Sequence, residues 1–261
     1  MKLAICRETE PGERRVAAVP ATVKRWSQGG MEVLVESGAG SGAMITDEDY
    51  QTAGAGVVPR EQLKDADVFL KVRPPGDDDL ALLGEGKTLI CLLSPLSDHD
   101  RLRRLAGQGV TALALDTIPR ITRAQSMDVL SSMSTLAGYK AVLLAAYHMA
   151  KIVPMMMTAA GTIRPANALV IGAGVAGLQA IATAKRLGAV VTAVDVRPAV
   201  REQIESLGAK FVPMEVEHQA EGAGGYAADL GEGVYRQEQE ILAPHVSSAD
   251  MVISTALIPG K

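Results

Sequence analysis

Short apolar runs alternate with amphipathic stretches through the first half of the chain. The apolar runs predict strands at residues 2–6, 32–36, 68–72, 88–93 and 111–115. Between them, stretches with helix start and stop signals predict helices at residues 20–29, 46–53 and 98–107. Because strand and helix alternate strictly, we expect parallel strands joined by right-handed crossovers, which is a doubly wound α/β arrangement.

The periodic pattern stops at residues 119–129, whose letters are PRITRAQSMDV. Basic, acidic and amide side chains are mixed there without a period of 2 or 3.6, which indicates a loop with unusual chemistry. Apolar residues at helical spacing then predict a long helix over residues 131–151, ending at the break around Pro154.

The second half repeats the alternation. Strands are predicted at residues 166–171, 190–194, 210–213 and 251–255, and helices after the GAGVAG loop through Leu187, at 199–207 and near 237–242. The polar, glycine-rich residues 217–236 are expected to be mobile. The pattern therefore predicts two Rossmann-like doubly wound parallel-sheet domains, residues 1–130 and 131–261, joined by the long helix.

Composition narrows the class of protein. Hydrophobic residues make up 48% of the chain and aromatic residues only 3%, so the core is expected to be built from Ala, Val, Leu, Ile and Met. A net charge of −4 without blocks of like charge argues against a nucleic-acid surface. Cys6 and Cys91 lie in apolar runs without CxxC spacing, which predicts buried thiols in a reducing compartment.

The chain shows no signal-peptide pattern, and its most apolar segment, residues 138–161, is interrupted by Lys140, His148, Lys151 and Pro154. We therefore expect a cytoplasmic protein whose membrane association comes through a partner.

The glycine loop carries the clearest chemistry. Gly172, Gly174 and Gly177 follow an apolar strand and open a helix, and the next strand ends at Asp195. The loop residues Gly172, Ala173, Gly174, Val175 and Gly177 are thus the candidate pyrophosphate-binding residues, with the phosphate charge meeting free N–H groups of the helix.

Asp195 can accept hydrogen bonds from the adenosine ribose hydroxyls, while its charge would repel a 2′-phosphate. NAD is therefore favoured over NADP, and Val196 and Arg197 complete this part of the candidate site. Arg197 keeps NADP as an alternative, because a guanidinium there could pair with a phosphate. A Rossmann-like domain that has lost its ligand is the other alternative.

Several segments resemble one family. The stretches that carry the resemblance are PRITRAQSMDVLSSMSTLAGYKAV, PMMMTAAGT, GAGVAG, AIATAKRLGAVV, AGGYA and TALIPGK. They are similar to the NAD(H)-binding alpha subunit of proton-translocating nicotinamide nucleotide transhydrogenase, and the likeness covers essentially the whole chain. A wider group that includes alanine dehydrogenase is similar at KLAICRETEPGERRVAAVP and LKVRPP.

The resemblance implies hydride exchange between NAD(H) held by this chain and NADP(H) held by a partner subunit. It also implies proton translocation through a membrane subunit, a homodimer, and a position at the inner membrane through these partners. In the family an RxxxxQxxD loop lies beside the nicotinamide, which implies catalytic roles for Arg120, Gln125, Asp128 and, just after them, Ser131. Without the family, Arg120 and Asp128 could equally form a surface ion pair and Gln125 be a solvated amide.

Further residues enter through the same resemblance. Tyr226, in its GGY context, matches the family's mobile loop that closes over bound nucleotide, and Ala256 and Leu257 of the TALIPGK motif are expected to contact the cofactor. Because the family's domain continues past that motif, we expect the second domain of this chain to be incomplete at its C-terminal end.

Two other functions remain open. Transfer between nicotinamides moves a hydride and no proton, so it needs no general acid or base, whereas amino-acid oxidation does. The histidines lie far in sequence from the glycine loop, at His99, His148, His218 and His245, and Ser94 stands where alanine dehydrogenase has a histidine. Arg15 and Lys71 do match that enzyme's substrate-carboxylate binders, so an alanine or amino-acid dehydrogenase is one alternative and a non-catalytic NAD-binding module another.

Overall fold

The computed structural model describes residues 1–214 and 232–256, and of residues 232–238 it describes the helical backbone only. The chain divides into two compact units, Met1–Asp128 and Val129–Lys261.

Unit 1 contains a six-stranded parallel sheet in the order β3-β2-β1-β4-β5-β6. Its strands are β1 (Lys2–Ile5), β2 (Glu32–Glu36), β3 (Gly56–Val58), β4 (Val68–Leu70), β5 (Thr88–Cys91) and β6 (Thr111–Ala114). Its helices are α1 (Pro20–Gln28), α2 (Asp47–Thr52), α3 (Asp77–Leu80) and α4 (His99–Gly107). The strand order reverses between β1 and β4, so a crevice is expected there at the carboxyl edge of the sheet.

Alternate residues of β1 explain the layered core of unit 1. Leu3 and Ile5 pack with one buried cluster, and Ala4 belongs to another together with Cys6, which follows the strand. Because successive side chains of a strand point to opposite faces, both faces of the sheet are covered. Cys6 and Cys91 are free, buried thiols, as predicted.

Local signals fix the helix ends. Thr46 accepts a hydrogen bond from the Asp49 amide, and the Asp49 carboxylate accepts one from the Thr46 amide. This reciprocal capping box starts α2 where the sequence predicted a helix start.

Unit 2 contains a four-stranded parallel sheet in the order β11-β10-β9-β12 and a separate two-stranded hairpin, β7-β8. Its strands are β7 (Met156–Thr158), β8 (Gly161–Ile163), β9 (Asn167–Ile171), β10 (Val190–Asp195), β11 (Lys210–Pro213) and β12 (Met251–Ser254). Its helices are α5 (Val129–His148), α6 (Val175–Arg186), α7 (Arg201–Ser206) and α8 (Glu232–Ser248). The order reverses between β9 and β12, directly beside the end of β9 where the glycine loop begins.

Helix α5 is the long helix that the sequence predicted, and it begins immediately after Asp128. Among the described residues it has the length and apolar composition of a membrane-spanning helix, which helices of soluble proteins also have. It packs on α6, with Val142 fully buried.

The predicted fold class is confirmed, and three details of the prediction are wrong. The sequence pattern missed β3, a three-residue strand without a periodic signal, and it missed the β7-β8 hairpin, whose side chains are all exposed. Residues 232–236, expected to be mobile, are the start of α8. Residues 215–231 lie outside the described part of the chain.

Candidate dinucleotide site

The glycine loop makes a turn that side chains would prevent. Gly172 has a φ of +91°, in the region that favours glycine, and a Cβ there would lie 3.0 Å from the Ala256 nitrogen and from Thr255 Oγ1. A Cβ at Gly177 would overlap the carbonyl oxygen of Gly172. The start of α6 therefore packs directly against the end of β9.

Gly174 is the N-cap of α6, and among the described residues no side chain caps this helix. The first N–H groups of a helix have no partner within it, so the amides that open α6 are available to an anion. An added Cβ at Gly174 would meet nothing within 4 Å, and both Gly174 and Val175 are exposed. The space in front of this helix end is open.

Thr255 holds the loop from the neighbouring strand. Its hydroxyl donates a hydrogen bond of 2.9 Å to the Gly172 carbonyl, and its amide donates one of 2.8 Å to the Ile171 carbonyl. Thr255 is not among the site residues that the sequence predicted. The signal that could have identified it is a hydroxyl side chain at the end of an apolar strand, next to the candidate residue Ala256.

Asp195 ends β10 and reaches back to the loop. Its Oδ2 accepts a hydrogen bond of 2.7 Å from the Ala173 amide, and its Oδ1 accepts one of 2.9 Å from the Arg197 amide. The Arg197 guanidinium forms an ion pair with the same carboxylate, with Nε 2.9 Å from Oδ1. Loop, carboxylate and guanidinium are thus joined in one network.

The electrostatics of Asp195 follow from these contacts. Burial raises the pKa of the carboxyl, but the hydrogen bonds from the Arg197 side chain and from the Ala173 and Arg197 amides outweigh it, so the pKa lies below its ordinary value. Asp195 is therefore an anionic acceptor at neutral pH.

Helix α5 approaches the same end of α6. A Cβ added at Gly138 would overlap the carbonyl oxygen of Ala176, in the first turn of α6. Glycine at this position permits the close packing of the two helices. Ser131, in the first turn of α5, thereby belongs to an element that is packed on the phosphate-facing helix.

The other predicted site residues are placed less completely. Arg120, Gln125 and Asp128 are in unit 1, where a short 3₁₀ helix, Thr122–Met127, carries the glutamine. Arg120 and Gln125 are exposed, Asp128 and Ser131 are partly buried, and Val196 lies partly buried between Asp195 and Arg197. Tyr226 and Leu257 lie outside the described residues, as does His218.

Unit 1 has its own crevice of about 530 Å³ at the carboxyl edge of its sheet, between the ends of β1, β4 and β5. Lys71 lines it and is only 3% exposed. Its Nζ lies 3.1 Å from Asp79 Oδ2 and 3.5 Å from Glu8 Oε2. Arg15, the other match to a carboxylate binder, pairs with Glu13.

The carboxylates around Lys71 are held as anions. Arg60 pairs with Asp79 at 2.7 Å and also with Glu36. Burial raises the pKa of Asp79, but the hydrogen bond from Arg60 and the charge of Lys71 lower it further, so the pKa lies below its ordinary value. Burial lowers the pKa of Lys71, and the charges of Asp79 and Glu8 more than reverse this.

A parallel sheet with a glycine loop at the reversal of its strand order defines an α/β protein of Rossmann type. Two family models match the chain: the N-terminal domain of alanine dehydrogenase/PNT over residues 4–137, and its C-terminal domain over residues 141–261. The chain therefore belongs to the alanine dehydrogenase/PNT family.

Relatives within the family separate into two groups. The first part of the NAD(P) transhydrogenase alpha subunit of Rhodospirillum rubrum is 51% identical over 270 residues, which span all of this chain and 70% of that protein. A solved structure of the transhydrogenase from Sinorhizobium meliloti matches with a TM-score of 0.88 and 46% identity, covering 100% of this chain and 71% of that one. Alanine dehydrogenase of Mycobacterium tuberculosis is more distant, with 32% identity over 265 residues and 66% of its length covered.

These matches confirm the resemblance to the transhydrogenase alpha subunit and place the chain in an oxidoreductase family. The roles of the individual site residues remain predictions.

Proposed function

We propose that this chain is the NAD(H)-binding component of a proton-translocating transhydrogenase, exchanging hydride with NADP(H) bound on a partner subunit. The observation that carries the proposal is the junction of the glycine loop with Asp195, where open helix amides and a buried carboxylate lie at one sheet edge. The similarity to transhydrogenase alpha subunits supports the partner.

The residues of this chain would bind and orient. The amides that open α6 would hold the diphosphate, and Asp195 would accept the ribose hydroxyls. Bound NADH supplies the hydride itself. Arg120, Gln125, Asp128 and Ser131 would position the nicotinamide and exclude water, because a hydride transfer between two nicotinamides requires no proton donor.

The contacts of Arg15 and Lys71 favour this function over alanine dehydrogenase. Both cations already have carboxylate partners within unit 1, so a substrate carboxylate would compete with Glu13 for Arg15 and with Glu8 and Asp79 for Lys71. At the end of the β5 segment, Ser94 carries no group that titrates near neutral pH. A general base for amine oxidation is therefore missing at this position.

Calorimetry of the full chain with NADH and NADPH in parallel tests the proposal. We expect binding of NADH and much weaker binding of NADPH, and Asp195→Ala should weaken NADH binding. Reduction of an oxidised nicotinamide analogue should require the NADP(H)-binding partner. Turnover of alanine with NAD by the chain alone would support the dehydrogenase instead, and tight NAD binding without catalysis in either assay would support a non-catalytic module.

We also propose that the chain forms a homodimer through the β7-β8 hairpin. A two-stranded hairpin is marginally stable alone, and this one exposes Met155, Met156, Met157 and Ile163. Covering these side chains with a second copy would remove them from water. In the assembly the chain would be cytoplasmic and peripheral to the inner membrane, held there by the membrane subunit of the transhydrogenase.

A further inference from the structure

The Arg197 side chain occupies both oxygens of the Asp195 carboxylate. Its Nε donates to Oδ1 at 2.9 Å and its Nη2 donates to Oδ2 at 3.0 Å. The backbone contributes two more donors, the Arg197 amide to Oδ1 at 2.9 Å and the Ala173 amide to Oδ2 at 2.7 Å. Each oxygen thus accepts one bond from an amide and one from the guanidinium.

This arrangement uses the full acceptor capacity of the carboxylate. A carboxylate offers about four lone-pair sites, two on each oxygen. The four donors from Ala173 and Arg197 account for all of them, and the Asp195 side chain is only 5% exposed. A ligand therefore cannot reach an unused acceptor from the solvent side.

We infer that Arg197 is an intramolecular competitor of the adenosine ribose, and that the ribose hydroxyls bind Asp195 only after the guanidinium has left it. The inference rests on the proposed function, because the ribose is the one that NADH would bring to this carboxylate. The guanidinium fork and a vicinal diol both present two adjacent donors to two carboxylate oxygens. They require the same two acceptor positions.

The two amides and the guanidinium differ in what can move. The amides of Ala173 and Arg197 are fixed by the glycine loop and by the turn after β10, so their bonds to Asp195 persist when a ligand binds. The guanidinium is at the end of a flexible side chain, which is 16% exposed and has a path to solvent. Arg197 is thus the group that leaves.

The competition has a sign that distinguishes it from a direct contact. A binding site that is available only part of the time has an apparent affinity reduced by the available fraction. Removing a competitor therefore tightens binding, whereas removing an arginine that contacts the nucleotide weakens it.

NADH affinity of the full chain, measured by the fluorescence of bound NADH, tests the inference with three variants. We expect Arg197→Ala to bind NADH roughly three- to ten-fold more tightly than the wild type, the range for loss of a partly buried ion pair. Arg197→Lys should give a smaller gain, because an ammonium keeps the charge but not the fork. Arg201→Ala, which removes the same charge from an exposed pair with Glu205, should leave the affinity unchanged.

A second ligand separates competition from a structural effect. The 2′-deoxyadenosine analogue of NADH lacks one of the two competing hydroxyls, so its gain on Arg197→Ala should be clearly smaller than that of NADH. A structural role of Arg197 would shift both ligands alike.

Unchanged or weaker NADH binding by a folded Arg197→Ala chain would overturn the inference, as would equal gains for the two ligands. If Arg197→Ala does not fold, Arg197→Lys decides, and an affinity at or below the wild-type value contradicts competition. Absence of NADH binding by the wild-type chain would instead refute the proposed function itself, and the inference with it.

Discussion

The α-carbon of Gly177 faces the carbonyl oxygen of Gly172 so closely that no side chain fits between the first turn of α6 and the end of β9. This contact sets the distance between helix and strand, and thereby the place at which the open amides of α6 meet the end of the sheet. The loop is part of the packing of unit 2 as well as of its candidate binding surface.

Gly177→Ala is therefore expected to destabilise the protein. The added methyl group would overlap the Gly172 carbonyl, and the helix must move to relieve the overlap. Urea unfolding should show a loss of about 3 kcal/mol in the free energy of unfolding, the upper range for overpacking. A variant as stable as the wild type would show that the two elements are not in contact.

Gly174→Ala should have the opposite profile. Gly174 has a φ of −74° and an open surrounding, so an alanine fits and the unfolding free energy should stay within about 0.5 kcal/mol of the wild type. The new methyl group would stand where the diphosphate approaches. We expect roughly ten-fold weaker NADH binding by calorimetry, and unaltered binding would argue against a phosphate at this helix end.

Lys71→Met tests the buried charge network of unit 1. The substitution leaves Asp79 and Glu8 without their shared cation, and removal of one member of a buried ion pair costs about 3–5 kcal/mol. Denaturant unfolding should show this loss, with the exposed Lys24→Met as the matched control near zero. A small effect would mean that water replaces the lysine.

The same network predicts a pH dependence. The pKa of Asp79 is lower in the folded protein than its ordinary value of 3.8, so its contribution to stability is present above that pH and is lost as the pH falls through the folded pKa. We expect the midpoint of urea unfolding to fall steeply below about pH 4. Asp79→Asn should lower stability at pH 7 and flatten this fall, and a profile of unchanged slope would contradict the assignment.

Gln125→Asn is expected to affect hydride transfer without affecting NADH affinity. Shortening the side chain by one methylene withdraws the amide from the nicotinamide it would position. With the partner subunit present, the transfer rate should fall about ten-fold while the Kd for NADH changes by less than about two-fold. Gln62→Asn, also exposed in unit 1, serves as the control, and a large loss of NADH affinity would count against a positioning role.

Met157→Glu should disrupt the proposed homodimer. Met157 is 74% exposed on the hairpin, and a carboxylate buried at an interface without a partner is costly. Sedimentation should show a shift from dimer to monomer, whereas Met44→Glu, at a similarly exposed methionine of unit 1, should leave the dimer intact. A dimer that survives Met157→Glu would place the interface elsewhere.

Some features were predictable from the sequence because they depend on neighbours along the chain. The capping box of Thr46 and Asp49, the strand at residues 210–213 and the GAGVAG turn follow from local chemistry and period. The β7-β8 hairpin escaped prediction because its side chains are exposed and give no alternation between buried and polar positions. β3 escaped because three residues are too few for a period.

The sequence by itself determined the α/β class, the glycine loop and the acid that ends the next strand, since each is a signal within a short stretch of chain. Only the tertiary structure decided what these groups contact. Thr255 reaches Gly172 across 83 residues of chain, and Asp195 uses its acceptor sites on Ala173 and Arg197. Such pairings depend on the register of parallel strands and on competition for a limited number of hydrogen-bond acceptors, and neither is written in local sequence.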